Sequence, residues 1–169
     1  MNCLLKVFIS AATCLLVLGA QSFVPKAAAE VKSACSLVTA EDVEAFIREP
    51  ASRPQRESYY SSSTCRFLGS QNRTKYLSVM VQQVTTDSSA GTTATPDYFK
   101  IFNFKNVQQV LGVGDEAMWA SATFGSRQIC QLFVNKGKST RLIIMIGGFP
   151  DDADTLDRAR ILANKILSA

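Results

Sequence analysis

The chain contains no histidine among its 169 residues. Histidine is the usual proton shuttle near neutral pH and the base of the Ser-His-Asp and Cys-His catalytic arrangements. Its absence excludes those mechanisms and also excludes histidine ligation of a metal. Charged residues are few as well, at 19% against 47% hydrophobic residues. A chain of this length and composition can bury a core and is typical of one globular domain.

Residues 1–29 have the parts of a secretory signal peptide. A charged start is followed by an apolar run from Val7 to Ala20 and then by the small residues Ala27 to Ala29, which suit a signal peptidase. The apolar run has about 14 residues, fewer than the roughly 20 that span a bilayer. We therefore expect cleavage after Ala29, export to the periplasm or the outside of the cell, and a single domain over residues 30–169 with no membrane span. A cut after Ala20 and an uncleaved membrane anchor are the alternatives.

The net charge of the expected mature domain is small. Removing residues 1–29 would take away Lys6 and Lys26 and leave 16 basic against 14 acidic residues, a net charge of +2. Binding to nucleic acid needs a denser cationic surface than this. We therefore expect no nucleic-acid partner.

Three cysteines follow the signal segment, at positions 35, 65 and 130. An oxidising compartment favours disulfides, and three cysteines cannot all pair within one chain. Cys130 lies in the middle of a predicted strand, where a small buried thiol fits well. We therefore predict a disulfide between Cys35 and Cys65, with Cys130 free and buried.

Three helices are predicted from caps and apolar periodicity. The signal for the first lies within Ser36 to Ile47, where Thr39 is the expected N-cap and has the spacing of a capping box with Asp42. The second begins at Thr95, with a proline at the first helical position. The last runs from about Asp152 to Leu167, with acidic residues near its start and apolar residues on one side.

The strand pattern predicts an α+β fold in the order α-β-β-α-β-β-β-α, with a mostly antiparallel sheet. The predicted strands cover 64–68, 75–84, 118–124, 129–135 and 140–147. The last of these is apolar on both faces, so we expect it to be central in the sheet. Residues 48–63 and 85–95 have the composition of polar loops.

Positive charge is concentrated between Arg48 and Lys75, which we call the arginine-rich segment. It has six basic residues against two acidic ones, and two tyrosines lie among them. An exposed basic surface with aromatic residues suits anionic lipid headgroups, an anionic envelope polymer or an acidic envelope protein. The alternative is a solvated loop whose charges do not converge. The candidate binding residues are Arg48, Arg53, Arg56, Tyr59, Tyr60 and Arg66.

Other motifs have simpler explanations. Gly112 to Ala117 contains a G-x-G pattern, but strand-like residues follow it where a dinucleotide site needs a helix. The adjacent acids Asp115 and Glu116 point in opposite directions in an extended chain, which does not suit an acid/base pair. The aspartates between positions 151 and 157 fit helix capping better than a calcium loop. We assign no catalytic residue, metal ligand or cofactor, and expect the lone Trp119 in the core.

Three segments together resemble a known group: Cys35 to Thr39, Cys65 to Phe67, and Gly112 to Trp119. They are similar to motifs of small exported bacterial domains of unknown function, many of them actinobacterial lipoproteins. The resemblance spans much of residues 34–168 and implies a compact α+β domain at the cell envelope with a Cys35–Cys65 disulfide. It implies no catalytic residues. The chain departs from the lipoprotein members because Cys14 lies inside the apolar run, after a residue unsuited to lipoprotein processing.

These observations predict an exported, non-enzymatic binding or accessory domain of the bacterial cell envelope. One alternative is an envelope hydrolase with a nucleophile that works without histidine, such as a Ser-Lys pair or Cys130. Another is a structural subunit of an envelope complex. The sequence does not name the ligand or partner.

Overall fold

A single antiparallel sheet of seven strands forms the centre of the computed structural model, which describes residues 31–84 and 96–169. The predicted signal peptide, the predicted loop 85–95 and the predicted cap Thr95 lie outside the described residues. The strands are β1 (Gln55–Tyr59), β2 (Ser62–Leu68), β3 (Tyr76–Gln83), β4 (Lys105–Gln109), β5 (Glu116–Phe124), β6 (Arg127–Lys136) and β7 (Thr140–Gly147). Their order across the sheet is β1-β2-β3-β7-β6-β5-β4. The helices are α1 (Ala40–Ile47), α2 (Pro96–Ile101) and α3 (Ala153–Ser168), preceded by a 3₁₀ helix, Ala34–Ser36.

Strand β7 is central, as its apolar sequence predicts. It pairs with β3 on one side and with β6 on the other, both antiparallel. Leu142, Ile144 and Ile146 are fully buried on one face, and Ile143 packs on the other. Because β7 has a neighbouring strand at each edge and side chains packed on each face, its apolar residues are shielded from water on both faces.

The larger core lies between one face of the sheet and the helices α1 and α3. Successive residues of β3 point to opposite faces, so Leu77 and Val79 enter this core together. Val43 of α1 and Ala159 of α3 are fully buried against it. A smaller cluster on the opposite face contains Phe99 of α2. The helices therefore cover the sheet unequally.

The 3₁₀ helix is joined to β2 by a disulfide and a hydrogen bond. Cys35 and Cys65 form the predicted disulfide, with an S–S distance of 2.00 Å. The backbone N–H of Ala34 donates to Ser63 Oγ at 2.9 Å in a buried position. These links fix the segment before α1 to the sheet.

Both long helices begin at side-chain caps. The N–H of Asp42 donates to Thr39 Oγ1 at 3.2 Å and the N–H of Thr39 donates to Asp42 Oδ2 at 2.9 Å, which confirms the capping box. At α3 the backbone N–H of Thr155 donates to Asp152 Oδ1 at 2.8 Å. That hydrogen bond holds the pKa of the Asp152 carboxyl below its usual value.

The α+β class is confirmed, but the predicted element order lacked two strands. Residues 48–63 were expected to form a loop, and this is wrong for Gln55–Tyr59, which form β1, and for the start of β2. Strand β4, Lys105–Gln109, was also missing from the predicted order. Both are edge strands, and β1 is exposed at every position. An edge strand that buries neither face has no period-two apolar pattern, so its sequence resembles a loop.

None of the helices in the described ranges is both long and apolar enough to cross a membrane.

Candidate functional site

An open cleft lies where the β5–β6 hairpin, the residues before β3 and the loop from β7 to α3 meet. Its volume is about 790 Å³, within the roughly 300–1,000 Å³ usual for ligand sites. Polar side chains from four separate parts of the chain line it. They include Thr74, Asn106, Arg127, Gln128 and Asp151, beside the ring of Phe149.

The carboxylate of Asp151 accepts three side-chain hydrogen bonds beside this cleft. Trp119 Nε1 donates to Oδ1 at 2.7 Å, Ser121 Oγ donates to Oδ2 at 2.6 Å, and Asn106 Nδ2 donates to Oδ2 at 2.9 Å. The Trp119 side chain is 0% exposed and Ser121 is 2% exposed. We call these four residues the Asp151 network. It satisfies two buried donors and fixes the β7–α3 loop against β5.

Local backbone geometry explains how β4 and β5 present these donors. Trp119 and Ser121 are two residues apart in β5 and therefore lie on the same face of the sheet. Asn106 has a φ of 51°, at the place where the pairing of β4 with β5 shifts register. Asparagine adopts this left-handed conformation more readily than most residues. Its amide then donates to both Ser121 and Asp151.

Two glycines allow the loop after β7 to pass close to β3. A Cβ on Gly147 would lie 1.9 Å from the ring of Tyr76, and a Cβ on Gly148 would lie 2.7 Å from the carbonyl oxygen of Thr74. Gly148 also has a φ of +78°, a backbone conformation that residues other than glycine rarely adopt. Its N–H donates to the carbonyl of Gln128 at 3.0 Å. The loop is therefore held at both sides of the cleft.

The aromatic wall of the cleft is supported from behind. The ring of Phe149 packs edge-to-face on Phe46 of α1, with centroids 6.0 Å apart. The guanidinium of Arg158 lies over both rings and also donates to the Phe46 carbonyl and to Asp154. Lys75 Nζ is also near this ring, 5.6 Å from the Phe149 centroid. Phe149 is therefore fixed in position before any ligand arrives.

Asp151 is ionised at neutral pH in this arrangement. Burial disfavours its charged form, but the hydrogen bonds from Ser121, Trp119 and Asn106 outweigh that effect and lower the pKa of the carboxyl. A carboxylate with a lowered pKa and three donors already bound is a weak general base. Its chemistry here is to orient neighbouring groups.

Cys130 is free and buried, as predicted, and lies beside this network. It pairs with Ser121 across the β5–β6 ladder, and its Sγ lies 4.0 Å from the carbonyl oxygen of Pro150. Burial, with a smaller contribution from the charge of Asp151, raises the pKa of the Cys130 thiol to about 12. Because the thiolate is the reactive form, Cys130 is a poor nucleophile at neutral pH.

The arginine-rich segment presents its side chains in several directions. Arg48 lies at the end of α1 with a φ of 57° and pairs with Asp154 of α3 at 2.9 Å. Arg56 pairs with Cys65 in the β1–β2 ladder and therefore lies on the same face of the sheet as Cys65. Arg66 follows Cys65 in β2, so Arg66 lies on the opposite face. The guanidinium of Arg66 is 4.5 Å from the centroid of the Tyr76 ring. Arg56 and Arg66 are thus on opposite faces of the sheet, and Arg48 is paired with α3.

The remaining candidates of that segment are exposed. Arg53 lies in the stretch before β1. Tyr59, at the end of β1, is 69% exposed, and Tyr60, in the turn that follows, is 108% exposed. Tyr59 shares a face with Arg66, since it pairs with Ser62, four residues before it. Tyr59 and Arg66 nevertheless lie at opposite ends of the β1–β2 ladder, so the structure does not bring the six candidate residues together.

The other acidic candidates have structural roles. Asp152 caps α3, and Asp154 pairs with Arg48 and Arg158. Asp115 Oδ2 accepts from the N–H of Gly137 at 2.6 Å, and Glu116 Oε2 accepts from Asn135 Nδ2 at 3.1 Å. Within residues 31–84 and 96–169, no group of three or more His, Cys, Asp or Glu side chains is placed to hold a metal ion.

Sequence reasoning did not identify the cleft. It placed Trp119 in the core, which is confirmed, and explained Asp151 by helix capping, although Asp152 is the cap. One signal was present: Trp119 and Ser121 share a strand face, and a buried indole N–H needs an acceptor. Arg127 and Asn106 gave no such signal, because their roles depend on pairing between distant strands.

Comparisons with protein-family models, with curated proteins and with solved structures found no match to this chain. The resemblance to small exported bacterial domains stays a prediction from the sequence motifs. In the cleft, fixed polar and aromatic side chains surround an open volume, and this arrangement is typical of a binding site.

Proposed function

We propose that the protein is an exported, non-enzymatic binding domain of the bacterial cell envelope, and that the cleft beside Asp151 holds its ligand. Export is supported by the signal-peptide pattern of residues 1–29, and the envelope by the motif resemblance. The proposal of a binding site is supported by the Asp151 network, which fixes one wall of a cleft of about 790 Å³. A fixed wall lowers the entropy cost of binding.

Arg127 is the charged residue at the rim of the cleft that we expect a ligand to contact. Strand alternation places its side chain on the face of β6 opposite Gln128 and the Asp151 network, where it is exposed and takes part in no hydrogen bond or ion pair of the described part of the chain. A guanidinium offers five N–H donors in a fixed plane. It is therefore available to a ligand without breaking an existing contact.

Retention on envelope material tests the proposal and locates the site. The exported protein is mixed with a purified envelope fraction, and bound protein is measured after sedimentation. We expect Arg127→Ala to reduce retention several-fold and the triple variant Arg48→Ala, Arg53→Ala, Arg56→Ala to bind like the wild type. No retention of the wild type would contradict the function. Loss of retention in the triple variant alone would move the site to the arginine-rich segment.

Thiol labelling tests the hydrolase alternative that uses Cys130. Because the thiol is buried and its pKa is about 12, we expect a thiol reagent to modify Cys130 at neutral pH after unfolding and not in the native protein. The same reagent on denatured protein supplies the control. Rapid native labelling would favour covalent chemistry over binding.

A further inference from the structure

A depression opens between the sheet and the last turns of α3, at the end of the core that is opposite the cleft. Its volume is about 320 Å³, at the lower end of the roughly 300–1,000 Å³ usual for ligand sites. The sheet forms its floor, and its walls include Leu37, which follows the 3₁₀ helix, and Ile166 and Leu167 of α3. The cleft lies at the other ends of the same strands, β3, β6 and β7. The depression is therefore a candidate site separate from the Asp151 network.

Three polar side chains form a row at the mouth of this depression. Thr140 pairs with Gln83 in the β3–β7 ladder and with Lys136 in the β6–β7 ladder, so the three are direct neighbours across the sheet. Thr140 is two residues before the buried Leu142, which places the row on the face covered by α1 and α3. None of the three side chains makes a hydrogen bond or ion pair within residues 31–84 and 96–169. We call these three residues the donor row.

Every member of the donor row can donate to an oxygen atom. The groups are a hydroxyl, a side-chain amide and an ammonium, and opposite residues in an antiparallel ladder have Cα atoms only about 4.5–5.5 Å apart. A carboxylate accepts several hydrogen bonds at once, and its hydrogen bond with an ammonium is stronger than one between neutral groups. The donor row therefore suits a ligand that has a carboxylate.

The charges around the depression agree with this choice. No acidic side chain of the described residues lines it, whereas Lys32 and Lys136 both do. Lys32 Nζ donates to an oxygen of the last residue, Ala169, at 3.0 Å, so we assign the ligand contact to Lys136. The acids Asp115 and Glu116 line a neighbouring depression, where two basic residues, Lys138 and Arg141, lie with them.

Apolar side chains lie directly behind the donor row. Val81 and Leu142 face each other one step inward on the same face, about 6–7 Å along the strands from Gln83 and Thr140. Leu37 and Leu167 are only partly buried and pack against this core. Donors at the mouth and apolar surface behind them match a molecule with a charged head and an apolar tail.

We propose that this depression binds a free fatty acid anion of medium chain length, with its carboxylate at the donor row and its acyl chain beside Leu37 and Leu167. A volume of about 320 Å³ is that of roughly ten water molecules at about 30 Å³ each. A methylene group fills a similar space, so the depression suits one chain of about ten carbons and is too small for a membrane lipid with two long chains. The inference goes beyond the proposed function and does not depend on the cleft.

The first test measures binding of hexanoate, octanoate and decanoate to the protein by calorimetry, at concentrations below those that form micelles. Each methylene that becomes buried should tighten binding about fourfold. Decanol, which has the same chain without the charge, should bind more weakly than decanoate. Equal affinity for the three acids, or for decanol and decanoate, would overturn the inference.

A variant of the donor row separates the head from the tail. Lys136 is exposed, so Lys136→Ala should leave the unfolding midpoint unchanged, weaken decanoate about tenfold and leave decanol binding as it is. Lys105→Ala removes the same charge from an exposed position of the edge strand β4 and should bind decanoate like the wild type. Equal weakening in the two variants would mean that only the net charge matters and would overturn the assignment to the donor row.

Nuclear magnetic resonance locates the bound acid. Decanoate should shift the amide signals of Gln83, Thr140 and Leu167 and leave that of Gly148 at the cleft unchanged. Shifts confined to the cleft would overturn the inference. Co-flotation of the protein with phosphatidylglycerol vesicles, without any shift caused by decanoate, would assign the donor row to a membrane surface and would also overturn it. Both failures leave the proposed function standing, because that function is tested by envelope retention and Arg127→Ala.

Discussion

The arginine-rich segment and the Asp151 network are both polar, but they are built in opposite ways. In the segment, charges that are close in sequence spread apart, because strand alternation places Arg56 and Arg66 on opposite faces. In the network, three residues distant from Asp151 in the sequence, Asn106, Trp119 and Ser121, converge on its carboxylate. The density of charge along a sequence therefore says little about where charge gathers in the fold. Pairing between distant strands decides that.

The two regions also differ in what holds them. The segment is attached to the rest of the domain through β2, where Cys65 forms the disulfide with Cys35. Its exposed charges make few contacts. In the network the charged carboxylate of Asp151 itself stabilises the region, because it is the acceptor for two buried donors. Removing charge should thus affect the two regions very differently.

The largest effect is expected from the covalent link of the first region. Replacing both Cys35 and Cys65 by alanine should lower the free energy of unfolding by about 3–4 kcal/mol, because the disulfide closes a loop with a sequence separation of 30 residues. Guanidinium denaturation measures the change, and wild-type protein in reductant should match the variant. A loss below about 1 kcal/mol would mean that the contacts around Ala34 suffice without the cross-link.

The next effect tests the network directly. Asp151→Ala should lower the free energy of unfolding by about 3 kcal/mol, because it leaves the Trp119 N–H and the Ser121 hydroxyl buried without an acceptor. Asp157→Ala is the control: its side chain is 62% exposed and pairs with Arg160 on the same helix, so its loss should stay within about 0.5 kcal/mol. Similar losses in the two variants would mean that the network stabilises the fold no more than an exposed ion pair does.

Acid titration tests whether the charge of Asp151 is the source of this stabilisation. The pKa of Asp151 is lower in the folded protein than in the unfolded chain, so its stabilisation is fully present above the unfolded pKa, about 3.9. It is lost as the pH falls through the folded pKa. The stability difference between wild type and Asp151→Asn should therefore be largest at neutral pH and shrink below about pH 4. A difference that stays constant down to pH 2.5 would contradict a role for the charge.

The smallest effect belongs to the arginines. The triple variant Arg48→Ala, Arg53→Ala, Arg56→Ala should change the free energy of unfolding by less than about 1 kcal/mol. The ion pair it removes joins side chains that are 64% and 55% exposed, and water screens such pairs. Thermal or denaturant unfolding beside the wild type measures this. A loss as large as that of Asp151→Ala would show that the segment is held by its charges after all.

Much of the fold is predictable because its signals are local. The capping box of Thr39 and Asp42 fixes the start of α1 with neighbouring residues alone. The apolar run of β7 predicts a central strand over the bounds that the structure has, Thr140–Gly147. The free, buried Cys130 follows from its place in a strand. Each of these features needs only a few consecutive residues.

The rest depends on partners far away in the sequence. Strand β1 has no buried face, so nothing in Gln55–Tyr59 distinguishes it from a loop until β2 is beside it. The cleft needs Gly148 to bring its loop past Thr74, a contact between residues 74 apart in the chain. In the sequence, Asp151 is one of several acidic residues near the start of a helix. The hydrogen bond that it accepts from Trp119 is evident only in the three-dimensional structure.

The pairing of β3 with β7 bears on the order in which the chain can fold. Their ladder joins the strands β1 to β3 to the strands β4 to β7, and within residues 31–84 and 96–169 no other ladder connects the two groups. A chain that emerges amino end first would leave β3 with an unpaired edge until residues 140–147 had followed. Completion of the sheet is then a late event in the folding of such a chain.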